Sequence, residues 1–292
     1  MPLAPYADRG ITKYQESYWA LKGLPPFPAV ATRLLQLLAT DDYEMHALVE
    51  LIRADPMFAS ELLMATNSAK TGLPKEITSI RHAAAILGRE TLRSFAVAVS
   101  LRMYIGRVAR QDILANIWRH SLATAVNCEV LSECCPESRK DWRDDTPYVA
   151  GLLHDVGCLG LMVTHPVEYG QALSYATEKA LDLREVEQRF FQIDHCAAGQ
   201  RIARAWKFSP VIANVALRHH EPPAGGDFTL LELVKVGVLM ADGLGYHAIP
   251  PLHAMTLAEV AELLPAAARV RFHRQIDGHP ERIAERIRSF EL

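Results

Sequence analysis

Apolar residues recur along this chain at intervals of three and four, the period of a helix with one face turned to a core. Val30, Leu34, Leu35, Leu37 and Leu38 form one such stripe, behind the prolines Pro25, Pro26 and Pro28 that open the ordered region. Asp41 and Glu44 have capping-box spacing ahead of Leu48, Val49, Leu51 and Ile52. Pro56 stops that helix and starts another with Phe58, Leu62, Leu63 and Met64 on it, and Gly72-Leu73-Pro74 reads as a loop. Ile80, Ala84 and Leu87, then Leu92, Phe95 and Val99, keep helical spacing on either side of Gly88.

The second half follows the same period. Ile113, Leu114, Ile117, Trp118, Leu122, Val126 and Val130 predict one amphipathic helix, and the polar stretch from Glu133 to Asp145 predicts a loop. Thr146-Pro147 is a start signal for an apolar helix that is expected to end at a C-cap at Gly157. Asp194 is placed as the N-cap of a helix reaching about Trp206. Ser209-Pro210 starts the next helix and Glu221-Pro222-Pro223 ends it. Leu230 to Met240 and a capping box at Thr256 and Glu259 complete the series. From His273 to Leu292, arginines alternate with acidic and apolar residues, which predicts an amphipathic helix packed on the domain or on a partner. Alternation with period two is nowhere sustained, so the fold class is all-α.

Composition narrows the class. Over 292 residues, 50% hydrophobic and 22% charged side chains exclude global disorder. A formal charge of −3 gives no footprint for general nucleic-acid binding. The N-terminus lacks the basic start and apolar core of a secretory signal. Apolar runs such as Phe95 to Val99 fall short of the roughly 18–20 residues that span a bilayer. The cysteines (Cys128, Cys134, Cys135, Cys158, Cys196) include no CxxC pair and read as free thiols in a reducing compartment. A cytoplasmic protein with no membrane contact is expected.

The polar residues that break the apolar pattern carry the chemistry. His120 edges the apolar stripe of its helix, and His154-Asp155 interrupts Ala150-Gly151-Leu152-Leu153, where a polar pair is expensive to bury without partners. His195 stands in a first turn, His219-His220 close a helix, and Asp242 follows an apolar run. Imidazoles and carboxylates together suit borderline or hard divalent metals, and several histidines with two aspartates are enough for two ions. From spacing alone, separately satisfied core and helix-end histidines are the favoured reading and shared metal ligation the alternative. His46, His82 and His165 read as surface or helix-end residues. Arg89, Arg93, Arg102, Arg107 and Arg110 read as a solvated basic bias.

The order His120, His154-Asp155, His195, His219-His220, Asp242 resembles the signature of the HD superfamily of metal-dependent phosphohydrolases. The chain is most similar to its HDOD (HD-related output domain) branch. Leu24-Pro25-Pro26-Phe27-Pro28, Ala54-Asp55-Pro56, Ala65-Thr66-Asn67-Ser68, Ile77-Thr78-Ser79-Ile80, Gly151-Leu152-Leu153-His154-Asp155-Val156-Gly157 and Arg218-His219-His220-Glu221-Pro222 match that branch in order. The resemblance implies a helical bundle, with an N-terminal helical subdomain at 20–110, an HD-like subdomain at 111–250 and a helical extension at 251–292, after a leading segment at 1–19. It implies His120, His154, Asp155, His195, His219, His220 and Asp242 as ligands of one or two divalent ions (Fe, Mn, Ni, Zn or Mg). Asp155 would bridge them and be the catalytic residue of an active enzyme, with Asn116, Glu221 and Cys158 as supporting residues.

Three departures from the related HD-GYP phosphodiesterases bear on activity. Cys158 stands where those relatives have lysine, Asn116 where they have a ligand glutamate, and their Gly-Tyr-Pro element is missing after Glu221. The resemblance therefore implies a bacterial-type signalling or regulatory module that works through a protein partner or by sensing a ligand. The rival is a metal-dependent phosphohydrolase acting on a nucleotide or cyclic dinucleotide.

Overall fold

The computed structural model describes residues 20–24, 32–33, 37, 44–53, 56–66, 77–106, 112–142, 146–206, 208–224, 228–249, 251 and 254–288, and among these there is no strand. The helices are α1 (Met45–Arg53), α2 (Pro56–Thr66), α3 (Ile80–Gly106), α4 (Asp112–Cys134), α5 (Thr146–Leu153), α6 (Val156–Thr164) and α7 (Pro166–Lys179). They continue as α8 (Leu183–Phe191), α9 (His195–Ala205), α10 (Pro210–Arg218), α11 (Leu230–Gly243), α12 (Leu257–Glu262), α13 (Ala266–Gln275) and α14 (His279–Arg288). The all-α expectation holds. The opening prolines, Asp41 of the first capping box, Gly72-Leu73-Pro74, Arg107, Arg110 and the side chains of Arg89, Arg93 and Arg102 lie outside the described residues.

Local capping chemistry decides most of the helix ends. Asp194, Ser209 and Thr256 each accept a backbone N–H from the first turn of the helix they open, and Glu259 returns the bond to Thr256, which completes a capping box. Helix α3 bends at Gly88, whose φ of 73° lies in the left-handed region that glycine enters without a Cβ penalty. The polar stretch after α4 is not wholly loop: Pro136–Asp141 winds into a 3-10 turn. His46 and His82 are exposed, and His165 joins α6 to α7.

Helix α4 is the axis of the second half, packed by α5, α11, α13 and α14, with every residue from His120 to Cys128 buried. Two glycines permit the approach. A Cβ on Gly151 of α5 would lie 2.8 Å from the Ala125 Cα, and one on Gly237 of α11 would lie 2.8 Å from the Cys128 sulfur. The amphipathic tail packs back onto the domain. Ile283 and Ile287 of α14 are buried, and His279 donates to the Asn127 Oδ1 at 2.7 Å, while the Asn127 amide donates to the Gly237 carbonyl at 2.9 Å.

The helix expected to reach Gly157 instead ends at Leu153 and restarts at Val156, leaving His154 and Asp155 in the break. Gly157 is therefore a packing glycine, not a C-cap. A Cβ there would overlap the His195 carbonyl oxygen and stand 2.7 Å from the Gly199 nitrogen, because α6 and α9 cross backbone to backbone. The same break divides Thr146–Thr164, which is long and apolar enough to cross a bilayer, contrary to the sequence expectation; 89% of its apolar window is buried inside the fold.

Candidate metal centre

Helix ends converge on Asp155. The break between α5 and α6 supplies His154 and Asp155, the first residue of α9 is His195, α10 ends at His219-His220, and the last turn of α11 carries Asp242. Only His120 comes from mid-helix, on α4. His120, His154, Asp155, His195 and His219 are each at most 4% exposed. Ionisable side chains buried this deeply need partners or a metal.

Each imidazole is held by one nitrogen and leaves the other for the centre. The Nδ1 of His154 donates to the Gly151 carbonyl at 2.6 Å, that of His219 to the Ala216 carbonyl at 2.9 Å and that of His120 to the Tyr246 carbonyl at 2.7 Å. Carbonyls only accept, so each of these Nδ1 atoms carries a proton and turns its Nε2 toward the centre. The fourth ring, His195, donates Nδ1–H to the Glu187 carboxylate at 2.7 Å. The same Glu187 oxygen accepts the His195 backbone N–H at 2.8 Å, and the other accepts the Tyr169 hydroxyl at 2.6 Å.

The four Nε2 atoms divide between the two oxygens of Asp155. Oδ2 faces the Nε2 atoms of His154 and His120 at 3.5 and 3.7 Å, and Oδ1 faces those of His219 and His195 at 3.1 and 3.7 Å. The Nε2 atoms of His120 and His154 are 3.2 Å apart. Among the described residues, Asp155 Oδ1, His195 Nε2 and His219 Nε2 are buried with no hydrogen-bond partner. Acceptor atoms held this close to one another need a proton or a cation between them. Neutral imidazole with carboxylate is also the donor set of borderline divalent metals, so the residues fit such an ion on either side of Asp155.

The electrostatics agree. Burial alone would push the Asp155 carboxyl up, but His154, His219 and His195 outweigh it and hold its pKa well below the ordinary value. Burial pushes His154 down to about 3, so its ring is neutral. Burial also opposes a proton on His195, while Cys158 and Glu187 favour one and prevail, holding its pKa well above the usual imidazole value. Burial lifts the Cys158 thiol to about 12. Burial raises Asp242 to about 6 against the pull of His120.

A cavity of about 320 Å³ opens onto the cluster, with Asp155, His120, His195, His220, Asp242 and Cys158 in its wall beside Leu183, Val238 and Ile249. His220 stands at the exposed rim, its ring 4.3 Å from that of His219 and 4.9 Å from that of His195. Asp242 approaches through His120, with Oδ1 3.6 Å from Nδ1. Cys158 lies with Asp155 and His195 inside one group of candidate donors. The other two supporting residues lie elsewhere. Asn116 is exposed on α4, and exposed Glu221 pairs with Arg218 at 2.8 Å and with Lys235 at 3.8 Å instead of with an imidazole. Glu187 and Tyr169 were missed from sequence. The available signal was a glutamate beside Val186 on the core-facing side of amphipathic α8, eight residues before His195.

An all-helical bundle with a buried His/Asp cluster at its helix ends defines a protein of the HD type. The HDOD domain family matches residues 24–222, and the chain belongs to that family. Its fold is similar to that of an HDOD domain protein with unknown function from Geobacter sulfurreducens (21% identity, TM-score 0.69, 94% of each chain covered). It is also similar to that of a candidate phosphohydrolase from Shewanella amazonensis SB2B (20% identity, TM-score 0.70, 96% of this chain and 99% of that one). A candidate signal transduction protein from Marinobacter aquaeolei VT8 aligns at 18% identity with a TM-score of 0.73, over 96% of this chain and 66% of that one. In sequence, an uncharacterised protein from Treponema pallidum (strain Nichols) is 21% identical over 208 residues, which are 70% of this chain and 39% of that protein. The chain thus spans about two-fifths of the length of this curated relative.

Proposed function

We propose that this HDOD chain is a signalling or regulatory module whose His/Asp cluster holds one or two divalent ions beside Asp155, and that it acts through a protein partner or a sensed ligand. The observation that carries the metal assignment is the convergence of buried, unpartnered Nε2 atoms on one carboxylate. His120 and His154 serve the Oδ2 side, His195 and His219 the Oδ1 side, with His220 and Asp242 at the cavity wall. Regulation is favoured over turnover by the scarcity of positive charge around the cavity. Among its described lining residues Arg184 is the one arginine or lysine, and it is bound to Asp182 at 2.9 Å.

The second reading, a metal-dependent phosphohydrolase, rests on the cavity itself, which gives a small ligand direct access to Asp155 and His220. A pair of divalent ions supplies Lewis acidity to a phosphate ester. Elemental analysis of the purified protein tests the shared premise, beside a His154→Ala/Asp155→Ala variant. The expected result is one or two equivalents of metal, lost in the variant. Absence of metal from both samples after reconstitution overturns the assignment. Turnover of a nucleotide or cyclic dinucleotide by the loaded protein, lost with the metal, establishes the second reading over the first.

A further inference from the structure

The two sides of Asp155 do not offer the same chemistry. The Oδ2 side presents nitrogen and oxygen only, from His120 and His154. The Oδ1 side has a sulfur beside it. Cys158 lies three residues after Asp155, on the cavity wall with it and 2% exposed. Its sulfur, a carboxylate oxygen of Asp155 and a ring nitrogen of His195 all fall within 4.8 Å of one another. The Oδ1 atom and the His195 Nε2 are buried and unpartnered, as is the His219 Nε2 that stands 3.1 Å from the same oxygen. One carboxylate oxygen, one imidazole and one sulfur make three mutually close donors, the protein-ligand count of zinc sites that keep a fourth position open.

We infer that Cys158 is a ligand of the ion on the Oδ1 side, making that position a mixed nitrogen, oxygen and sulfur site selective for zinc or a similarly soft divalent ion over magnesium and manganese. The inference rests on the metal-centre reading above and adds the donor and the selectivity. Thiolate favours the softer metals, whereas carboxylate with water suits the harder ones. Coordination breaks the S–H bond, leaves its electron pair on sulfur to bind the metal and releases the proton to solvent. Cys196 is the rival sulfur, since it lies within 4.8 Å of ring nitrogens of His195, His219 and His220.

X-ray absorption at the zinc edge of the full-length, zinc-loaded protein tests the assignment. A sulfur shell at about 2.3 Å, separate from the nitrogen shell at about 2.0–2.1 Å, is expected. The sulfur shell disappears in Cys158→Ser and persists in Cys196→Ser, while each variant still binds zinc. The wild-type spectrum needs no variant to fold, and a shell of only nitrogen and oxygen in it overturns the inference while leaving the metal centre intact. Loss of the shell in Cys196→Ser alone overturns the choice of Cys158. Failure of the wild-type protein to take up any metal overturns the centre, and the sulfur assignment falls with it.

Discussion

Glu187 is the residue through which the centre can be weakened without touching a ligand. It is fully buried, and its two oxygens accept three hydrogen bonds, from the His195 ring at 2.7 Å, the His195 backbone at 2.8 Å and the Tyr169 hydroxyl at 2.6 Å. Truncation in Glu187→Ala leaves three buried donors unpaired. At about 1–3 kcal/mol each, that loss rivals the whole stability of a domain, so the variant reports unfolding and little else. Glu187→Gln is the informative change. The amide oxygen replaces the carboxylate oxygen that takes both His195 N–H groups, and the amide NH2 faces the Tyr169 hydroxyl, which turns from donor to acceptor. The hydrogen-bond count survives and the negative charge does not. Carboxylates that back a metal-bound imidazole typically contribute about 10- to 100-fold in metal affinity, or about 1.4–2.7 kcal/mol. Titration of zinc against a competing chelator should show that loss in Glu187→Gln, with the melting temperature of the metal-free protein close to wild type. An affinity within about twofold of wild type, in a variant that melts normally, refutes the claim that Glu187 sets the basicity and orientation of His195.

Two further outcomes follow from the packing and from a histidine outside the centre. Gly157→Ala should destabilise the protein by about 1–3 kcal/mol and release metal, because the new methyl meets the backbone of His195, which cannot rotate aside. Urea unfolding and metal content check it, and a variant with wild-type values of both shows that α6 and α9 can separate freely. Burial, and then the Arg282 guanidinium, hold His279 down at about 4, against about 6.5 in the unfolded chain. Its contribution is present above pH 6.5 and is lost as the pH falls toward 4, by about 2–3 kcal/mol. Chelator-treated wild type should therefore lose more stability between pH 7 and 4 than His279→Gln does, and parallel curves would refute the assignment.

What the sequence shows clearly is what short-range chemistry decides. Asp194, Ser209 and the Thr256–Glu259 pair cap their helices because each acts on backbone within one turn of itself. The break at His154-Asp155 is different in kind. Apolar residues run on through Val156, Leu159 and Leu161 with no stop signal before Gly157, and the chain leaves the helix where α6 lies with Gly157 against the backbone of α9, a contact set 38 positions away in sequence at His195. Helices α7 and α8 escaped the hydrophobic pattern altogether, and Glu187 escaped with them.

The centre divides along the same line. Its candidate donors were visible as histidines and aspartates out of place in apolar segments, and Asp155 stands between His120, His154, His195 and His219. Invisible in the sequence was what makes four imidazoles usable at once, namely the partner on the far side of each ring. For His120, His154 and His219 that partner is a backbone carbonyl, a group every residue carries, so no pattern of side chains could disclose it and no substitution removes it. For His195 alone among the four it is a side chain. The Oδ1 side of Asp155 is therefore the side that sequence change can tune, through Glu187 behind the ring and Cys158 beside it. The Oδ2 side has its rings fixed by the course of the backbone. Glu187→Gln should therefore lower metal affinity on the Oδ1 side and leave that of the Oδ2 side near wild type, and equal losses on both sides would refute the division.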